Sequence, residues 1–301
     1  MPINYSIIIP HKNIPDLLIR CIRSIPRRDD IQIIVVDDNS DNANTYLSIY
    51  PELRQSNIEL YLTKEGRGAG YARNVGLGKA KGKWILFADS DDFFLPEWIN
   101  ITDQYLNSNA DVIQFKIDDV LNHDDCNWHN KALDNYTKGM KSAKDVLFSN
   151  VTCWAKMLNA NFIRHNRIMF DETICANDVG FGFKIAVMAA NVTISQSAIY
   201  DVTYREGSLT TIKNREYKAV RYSVLKNAYT YAAEKGFSQY ELPYVIEALK
   251  SWRELGIPDY LFFILHEHSE IRRASKVHIV NKPFNYRHPY LYTLLVLFKI
   301  L

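Results

Sequence analysis

The segment WILFADSDDFFLPEWI, residues 84–99, has an apolar run that stops at a cluster of carboxylates and resumes at Phe93. A short apolar run bounded by polar residues predicts a buried β-strand. Asp89, Asp91 and Asp92 fall where this strand ends, and three like charges so close together repel one another. We therefore expect a positive charge to lie close to this end of the strand.

Further apolar runs upstream alternate with segments of helical periodicity. The strand-like runs are YSIIIP (5–10), IQIIVVDDNS (31–40) and IELYLT (58–63), and the helical segments are IPDLLIRCIRSI (14–25) and GYARNVGLGKAKG (70–82). This alternation predicts an α/β domain with a mostly parallel sheet, in which ligands bind beyond the carboxyl ends of the strands. Several polar or turn-forming residues fall at such ends and predict one shared site: Pro10, Asp37, Asp38 and the 89–92 cluster.

The sequence downstream of residue 110 is less regular. DVIQFKIDDVL (111–121) predicts a strand pair or a strand extension, and VTCWAKMLNANFI (151–163) has helical periodicity. A helix is expected to begin near Asn177 or Asp178, followed by a strand or hairpin in NVTISQSAIYDVTYR (191–205). After Thr211 the segments become helical. We therefore predict an α/β domain over 1–211, with halves of about 1–110 and 111–211, and a helical C-terminal region over 212–301.

Composition places the chain among ordinary globular proteins. It has 301 residues, of which 47% are hydrophobic and 23% charged, and a formal net charge of +2. That balance gives no indication of a nucleic-acid partner. The four cysteines have no zinc-site spacing, and the start MPINYSIIIPHKN lacks the features of a signal peptide. Buried free thiols in a reducing, cytoplasmic compartment are therefore expected.

The C-terminal segment 271–301 differs in charge from the rest of the chain. It contains six Lys or Arg residues and no Asp or Glu, and it ends in the apolar run HPYLYTLLVLFKIL. This run is shorter than the ~20 residues that a membrane-spanning helix needs. It predicts a helix that packs on the body or on a second subunit of a homodimer. The alternative is an interfacial segment on an anionic membrane surface, the inner face of the bacterial plasma membrane.

The carboxylate cluster itself has two interpretations. Asp92 could cap a helix that begins at LPEW (95–98), with Pro96 in its first position. Capping does not explain Asp89 and Asp91, which are two residues apart and would point to the same side of an extended segment. Paired carboxylates of this kind predict a Mg²⁺ or Mn²⁺ site that is completed by phosphate groups.

Polar residues elsewhere on the same predicted edge also have two interpretations. Asp37 could cap the following helix, whereas Asp38 is well placed to accept hydrogen bonds from a nucleobase or ribose. GRGAGYARNVG (66–76) has neither the G-x-G-x-x-G spacing of a dinucleotide-binding turn nor the GK[ST] of a P-loop. Arg73, in the helix behind this turn, predicts either a surface salt bridge or a contact to a diphosphate or base.

These motifs, in order, resemble those of the family 2 glycosyltransferases. The resemblance is carried by SIIIP (6–10), IIVVDDNSDN (33–42) and GRGAGYARNVGLGKAKGKWILFADSDDFF (66–94), and it covers roughly residues 4–210. It implies the nucleotide-sugar-binding fold called GT-A, a nucleotide-diphosphate sugar donor, a divalent Mn²⁺ or Mg²⁺ and inversion at the anomeric carbon. The sequence is similar in particular to bacterial enzymes of capsule, lipopolysaccharide and exopolysaccharide synthesis, whose acceptors are glycans or lipid-linked saccharides.

The resemblance implies a role for each matching residue on the donor side. Asp91 would bind the metal that bridges the two phosphates, and Asp89 would meet the ribose or the same metal. Arg205, beside Ser208 and Thr210, would lie near the phosphates. The implied donor-binding residues are Pro10, Asp38, Arg73, Asp89, Ser90, Asp91 and Arg205.

The later segment CWAKMLNANFIRHNRIMFDETICANDVGF (153–181) also resembles this family. In the family a Trp-x-Lys motif precedes a Glu-Asp pair whose Asp is the catalytic base, which implies that Asp178 is the base here. Asn177 departs from the usual Glu. Trp154, Lys156 and Asn177 are implied on the acceptor side, although the residues alone also allow Trp154 in the core and Lys156 on the surface. An N-cap role is the alternative for Asp178.

Two rival functions share some of these features. A nucleotidyltransferase that makes nucleotide-sugars would need an early Gly-rich G-x-G-x-R loop, and SIIIPHKN (6–13) occupies that place. A catalytically silent carbohydrate-binding protein on the same scaffold is compatible with Asn177. The resemblance favours a UDP-sugar donor by family frequency and leaves the sugar and the acceptor unspecified.

Overall fold

The computed structural model describes residues 1–41, 49–118, 127–203 and 214–237, together with Pro258, Leu261, Phe263 and Leu265. Backbone contacts divide the chain into two compact units, Met1–Ser208 and Leu209–Leu301. The predicted boundary at 211/212 lies outside the described residues, as do Arg205, Ser208, Thr210 and the tail 271–301. No helix in the described part of the chain is long and apolar enough to cross a membrane.

The first unit contains eight strands and seven α-helices among its described residues. The strands are β1 (Tyr5–His11), β2 (Ile31–Asp38), β3 (Ile58–Thr63), β4 (Trp84–Phe87), β5 (Phe93–Phe94), β6 (Val112–Asp118), β7 (Lys156–Asn159) and β8 (Val192–Asp201). The helices are α1 (Pro15–Arg23), α2 (Ala69–Lys79), α3 (Trp98–Asp103), α4 (Asn127–Thr137), α5 (Ala143–Ser149), α6 (Ala160–His165) and α7 (Val179–Met188), with a 3₁₀ helix at Pro51–Arg54.

The strands form one mixed sheet in the order β3-β2-β1-β4-β7-β6-β8-β5. The first four are mutually parallel, β6 pairs in parallel with β8, and the β4–β7, β7–β6 and β8–β5 pairs are antiparallel. The predicted mixed, mostly parallel α/β sheet is confirmed. Four consecutive parallel strands place their carboxyl ends on one edge, where the predicted site residues were expected to meet.

Burial explains why the central strands are continuous apolar runs. Every residue of β1 and β2 is buried, as expected for parallel strands that are covered on both faces. Phe87 of β4 packs edge-on against Phe170 and Phe181, whose rings stack with centroids 3.9 Å apart. This aromatic cluster joins the sheet to the loop before α7 and therefore to the Asn177–Asp178 pair.

Two element predictions in this unit are wrong. Residues 151–163, predicted as helical, contain strand β7 and only then helix α6, which begins where the Asn159 side chain accepts hydrogen bonds from the N–H groups of Asn161 and Phe162. The helix expected from Pro96 begins at Trp98, with Glu97 at its N-cap. In the first case, β7 is held in place by antiparallel pairing with β4 and β6, which outweighs local periodicity.

The second unit contains helix α8 (Arg215–Glu234), which confirms the helical character predicted after residue 211. The Asn214 side chain caps it by accepting a hydrogen bond from the Tyr217 N–H at 2.9 Å. The Tyr222 ring contacts Phe263 edge-on, with centroids 4.8 Å apart. The helix predicted over PYVIEALKSWRELG (243–256) lies outside the described residues.

Candidate functional site

The carboxylate cluster after β4 lies in a turn. The Asp92 N–H donates to the Asp89 carbonyl oxygen at 3.0 Å, so the segment is not extended. The prediction of an extended segment was therefore wrong. Asp92 is 3% exposed, and its carboxylate accepts hydrogen bonds from the Tyr200 hydroxyl at 3.0 Å and the Thr203 N–H at 2.8 Å. Asp92 therefore anchors the turn to the end of β8. The alternative in which Asp92 caps the following helix, α3, is not what the structure shows.

Three residues distant in sequence fix this turn. The Tyr200 hydroxyl, besides donating to Asp92, accepts a hydrogen bond from the Asp89 N–H at 2.8 Å. The Thr203 hydroxyl and the Arg20 guanidinium both donate to the Asp91 carbonyl oxygen. These roles could not be predicted from the sequence, because the partners come from α1 and from the end of β8.

Burial and charge crowding both act on Asp92. Burial in low-dielectric surroundings raises its pKa well above the ordinary value, and the carboxylates of Asp89 and Asp91 add to the shift. The charges of Asp89 and Asp91 thus act on Asp92 in the direction that the sequence predicts for neighbouring carboxylates.

Arg73 supplies the positive charge that was expected beside the cluster. Its guanidinium, on helix α2, donates to the Asp89 carboxylate and to the Asn177 amide oxygen, the latter at 2.6 Å. Arg73 is only 6% exposed and lies over the Phe170 ring, 5.4 Å from its centroid. The surface salt bridge considered for Arg73 is therefore excluded, and one buried cation joins the turn after β4 to the loop before α7.

Asp178 occupies the N-cap position of α7, but its side chain accepts no capping hydrogen bond. It remains partly exposed, whereas its neighbour Asn177 is buried. Burial raises the pKa of Asp178, the Arg73 charge works against that shift, and the Asp89 charge adds to it. A carboxyl with a raised pKa that is not occupied as a helix cap is the kind of group that can accept a proton from a ligand.

The loop before α7 approaches two glycines very closely. A Cβ added to Gly70 would lie 2.1 Å from the Asp171 carbonyl oxygen, and one added to Gly180 would lie 2.1 Å from the Asp171 carboxylate. Ala176 in this loop has φ 53°, a left-handed conformation that costs an L-residue roughly 1–2 kcal/mol. The Gly-rich turn at 66–70 therefore allows the 171–178 loop to pack onto the start of α2, where Arg73 reaches Asn177.

The nucleoside side of the predicted site contains one incompletely bonded carboxylate. Asp38 Oδ2 accepts the Gly68 N–H at 2.8 Å, whereas the buried Oδ1 has no hydrogen-bond partner within the described ranges. Asp37 contacts His11 Nδ1 at 2.9 Å and accepts bonds from the Ser40 N–H and hydroxyl. The sequence did not decide the roles of Asp37 and Asp38. Of these two residues, Asp38 is the one that keeps an acceptor oxygen for a ligand. Pro10 is buried inside β1, opposite Val36.

The predicted acceptor side is more buried than expected. Trp154 is 7% exposed and stacks on Tyr200, with centroids 6.0 Å apart and an interplanar angle of 13°. Lys156 is 2% exposed, so the surface position considered for it is wrong. Its ammonium donates to the carbonyl oxygens of Asn150, at 2.8 Å, and of Thr152, and burial lowers its pKa to about 7.

The residues present fit a metal ion only in part. Within the described ranges, no three His, Cys, Asp or Glu side chains lie close enough to hold one. Asp89 and Asp91 offer the hard oxygen ligands that Mg²⁺ and Mn²⁺ prefer, but Asp89 is already paired with Arg73. A cation at this turn would therefore take most of its ligands from a bound diphosphate and from water.

The cysteines agree largely with the prediction. Cys21 and Cys153 are free and buried, and Cys175 is half-buried. Cys126 lies outside the described residues. Cys153 lies near Arg73 and Asp178, and burial raises the pKa of its thiol to about 12, which leaves it uncharged at neutral pH.

Comparison with known sequences identifies relatives. Residues 6–165 match the family model described as glycosyl transferase family 2. The glycosyltransferase GlyA of Streptococcus pneumoniae serotype 4 is 24% identical over 77% of this chain and 35% of its own length. The poly(ribitol-phosphate) beta-glucosyltransferase of Bacillus spizizenii is 27% identical over 66% of this chain and 32% of its own. The chain thus spans about a third of the length of these curated relatives.

Comparison with solved structures identifies the fold. Staphylococcus aureus TarS 1-349, in a crystal structure with UDP-GlcNAc, matches with a TM-score of 0.67 at 21% identity, over 84% of this chain and 73% of that one. The mannosyltransferase PcManGT from Pyrobaculum calidifontis, in complex with GDP-Man and Mn²⁺, matches with a TM-score of 0.55 at 15% identity, over 99% and 85%. The predicted GT-A fold is confirmed.

Proposed function

The chain belongs to glycosyl transferase family 2, and from this membership we propose that it transfers a sugar from a UDP-sugar to a hydroxyl group of a glycan or lipid-linked glycan in bacterial surface polysaccharide synthesis. The transfer inverts the anomeric carbon. The donor assignment is supported by a structural relative that binds UDP-GlcNAc, and the acceptor class by a relative that acts on poly(ribitol-phosphate). The enzyme works on the cytoplasmic side of the membrane, where nucleotide-sugars are made.

One observation carries the proposal: Arg73 hydrogen-bonds both to Asp89, at the carboxylate turn, and to Asn177, beside Asp178. Through these two bonds, a donor-side acid and the predicted base belong to one cluster, although they are 89 residues apart in sequence. Asp38, whose Oδ1 has no hydrogen-bond partner among the described residues, lies on the same parallel edge and is proposed to provide the nucleoside contact. Ser90 and Arg205 are assigned to the donor by the family pattern alone.

In the proposed reaction, the acceptor hydroxyl forms a bond to the anomeric carbon as the bond to the diphosphate oxygen breaks. Asp178 takes the hydroxyl proton, a task for which its raised pKa and its unused capping position suit it. Arg73 stays charged in its buried position, where it favours the negative charge that grows on the leaving group. Trp154, stacked on Tyr200, forms a wall of the acceptor side next to Lys156.

Asp91, with Asp89 in support, would hold Mn²⁺ or Mg²⁺ against the donor diphosphate. When bound, the cation neutralises charge on the leaving diphosphate as a Lewis acid. Asp89 keeps its bond to Arg73 in this arrangement, so that Asp91 provides the principal protein ligand. A related structure contains Mn²⁺ together with its nucleotide-sugar, which supports a metal for this chain too.

The proposal is tested by incubating the purified chain with UDP-GlcNAc, UDP-Glc and UDP-Gal, with Mn²⁺ and with EDTA, and by identifying the nucleotide released. We expect metal-dependent release of UDP from at least one donor. Release of pyrophosphate would identify a nucleotidyltransferase instead. If the protein binds glycans tightly but releases no nucleotide from any donor, whichever glycan acceptor is added, a catalytically silent binding protein is favoured.

A further inference from the structure

Helices α4 and α5 form a hairpin whose open side contains a cavity of about 400 Å³. The cavity lies apart from the carboxylate turn and from Asp178. It is lined by one aromatic, two basic and three small or amide side chains: Trp128, Lys131, Ala132, Asn135, Lys141 and Ser149.

The spacing of the lining residues on α4 places them on one face. Trp128, Lys131 and Asn135 are at positions i, i+3 and i+7, which align along one side of a helix. Leu133, on another side of α4, is fully buried and packs with Val146 of α5 and Ile194 of β8. The hairpin is therefore held by its apolar face, and Trp128, which remains 40% exposed, is not needed for that packing.

The charge of the cavity is positive. Within the described part of the chain, neither Lys131 nor Lys141 forms a salt bridge, and no carboxylate of that part lines the cavity. The acids of the hairpin are engaged elsewhere: Asp134 pairs with Lys116 at 2.6 Å, and Asp145 caps α5 through Ser142. Lys141 donates to the Ser149 hydroxyl at 2.6 Å, which holds its ammonium at the cavity wall.

A row of aromatic rings leads from the cavity to the carboxylate turn. Trp128 lies 6.5 Å from Trp154 between ring centroids, and Trp154 lies 6.0 Å from Tyr200. The Tyr200 hydroxyl in turn bonds to the Asp89 N–H. The cavity is thus connected to the proposed site of transfer through packed rings, of which Trp154 and Tyr200 are buried.

We propose that this cavity binds an anionic segment of the acceptor saccharide, at a distance from the hydroxyl that receives the sugar. The inference rests on the proposed function. The Trp128 ring offers a flat face for a sugar or polyol, the Asn135 amide can bond to hydroxyl groups, and the two ammonium groups attract a phosphodiester or carboxylate. An acceptor that carries both hydroxyl groups and negative charge satisfies all three features.

The test measures binding of three probes by calorimetry: a ribitol phosphate hexamer, hexagalacturonate and maltohexaose. We expect binding of at least one anionic probe, weakened by salt, and no binding of the neutral one. Lys131→Ala with Lys141→Ala, or Trp128→Ala, should weaken that binding roughly three- to tenfold. Lys138→Ala and Tyr136→Ala are matched controls, because both residues are exposed on the same hairpin and neither lines the cavity.

The two anionic probes distinguish phosphodiester from carboxylate as the preferred group. Equal binding of maltohexaose, or equal losses in the control variants, would overturn the proposal. So would binding of phosphatidylglycerol vesicles, lost in the lysine variants, without binding of either oligomer. Release of UDP from the donor without acceptor should be unchanged in all cavity variants. Its absence in the unmodified protein would instead count against the proposed function.

Discussion

The parallel half of the sheet and its mixed half differ in where their polar side chains lie. In the half formed by β3, β2, β1 and β4, polar side chains stand at strand ends and bond to near neighbours, as Asp37 does with His11 and Ser40. In the half formed by β7, β6, β8 and β5, polar side chains are buried inside. Four of their atoms lack hydrogen-bond partners within the described ranges: Gln114 Oε1, His129 Nδ1, Asn150 Oδ1 and Thr152 Oγ1.

The two sides of the proposed site therefore obtain their geometry from different sources. The donor side follows from the sheet, because parallel strands bring their carboxyl ends together whatever their loops contain. The acceptor side depends on a buried polar layer, in which Lys156 holds the carbonyl oxygens of Asn150 and Thr152. Each unsatisfied buried group costs about 1–3 kcal/mol wherever it lies, and the parallel side has such a group at Asp38 Oδ1.

The largest expected effect separates the chemistry from donor binding. Asp178→Asn removes the proposed proton acceptor on the mixed side but leaves Asp38, Asp89 and Asp91 in place. We expect kcat for transfer to fall on the order of 10²–10⁴-fold, with the Kd for UDP-sugar unchanged. Steady-state kinetics and calorimetry measure the two quantities. Asp134→Asn, at a half-exposed surface carboxylate, is the control, and full turnover in Asp178→Asn would remove Asp178 from its assigned role.

The next effect tests the donor side with two neighbouring acids. Asp91→Asn should abolish the difference between UDP affinity with Mn²⁺ and with EDTA, because Asp91 is the proposed protein ligand. Asp92→Asn should keep that difference, because the Asp92 carboxylate bonds to Tyr200 and Thr203. Calorimetric titration of UDP at fixed Mn²⁺ gives both values. The metal assignment fails if the two variants respond alike.

A smaller effect should arise from the buried ammonium of Lys156. The pKa of Lys156 is lowered to about 7 in the folded protein and is about 10.4 in an unfolded chain. Between these values the unfolded state binds nearly one proton more, so this residue makes stability rise as pH increases from 7 to 9. Lys156→Met should lack that contribution, as measured by urea denaturation at both pH values, with Lys138→Met as the control. An unchanged slope would contradict the lowered pKa.

The parallel half and the main acids of the site could be predicted from the sequence because the signal is local. Apolar runs that end in Asp37–Asp38 and Asp89–Asp92 describe both a buried strand and its polar end. The resemblance of the ordered motifs to the family then implied that Asp178 belongs to the same site. The GT-A fold was implied by the resemblance of these ordered motifs to family 2 glycosyltransferases, and the comparison with solved structures confirms it.

The rest could not be predicted because it depends on contacts between distant segments. Nothing in the sequence pairs Tyr200 and Thr203 with the turn after β4, and a lysine is rarely expected at 2% exposure. The carbonyl oxygens that hold Lys156 are brought to it by a loop in which Ala155 has φ 52°. β7 was missed for a related reason, since its four residues are strand only because β4 and β6 flank them.

The smallest expected effect lies where the two halves meet, at Asn177. Its amide oxygen accepts from Arg73, so Asp89 is the acid that forms a salt bridge with this guanidinium. Asn177→Glu would add a second carboxylate beside Asp178 and raise the pKa of Asp178 further by like-charge repulsion. Because the base acts in its deprotonated form, activity should fall severalfold at pH 6 and match the unmodified enzyme at pH 9. A pH profile of kcat/KM measures this, with Asn177→Gln as the uncharged control of equal length. If the glutamate variant keeps the acid limb of the unmodified enzyme, the expected rise in the pKa of Asp178 is contradicted. In that case the Arg73 guanidinium neutralises the added carboxylate.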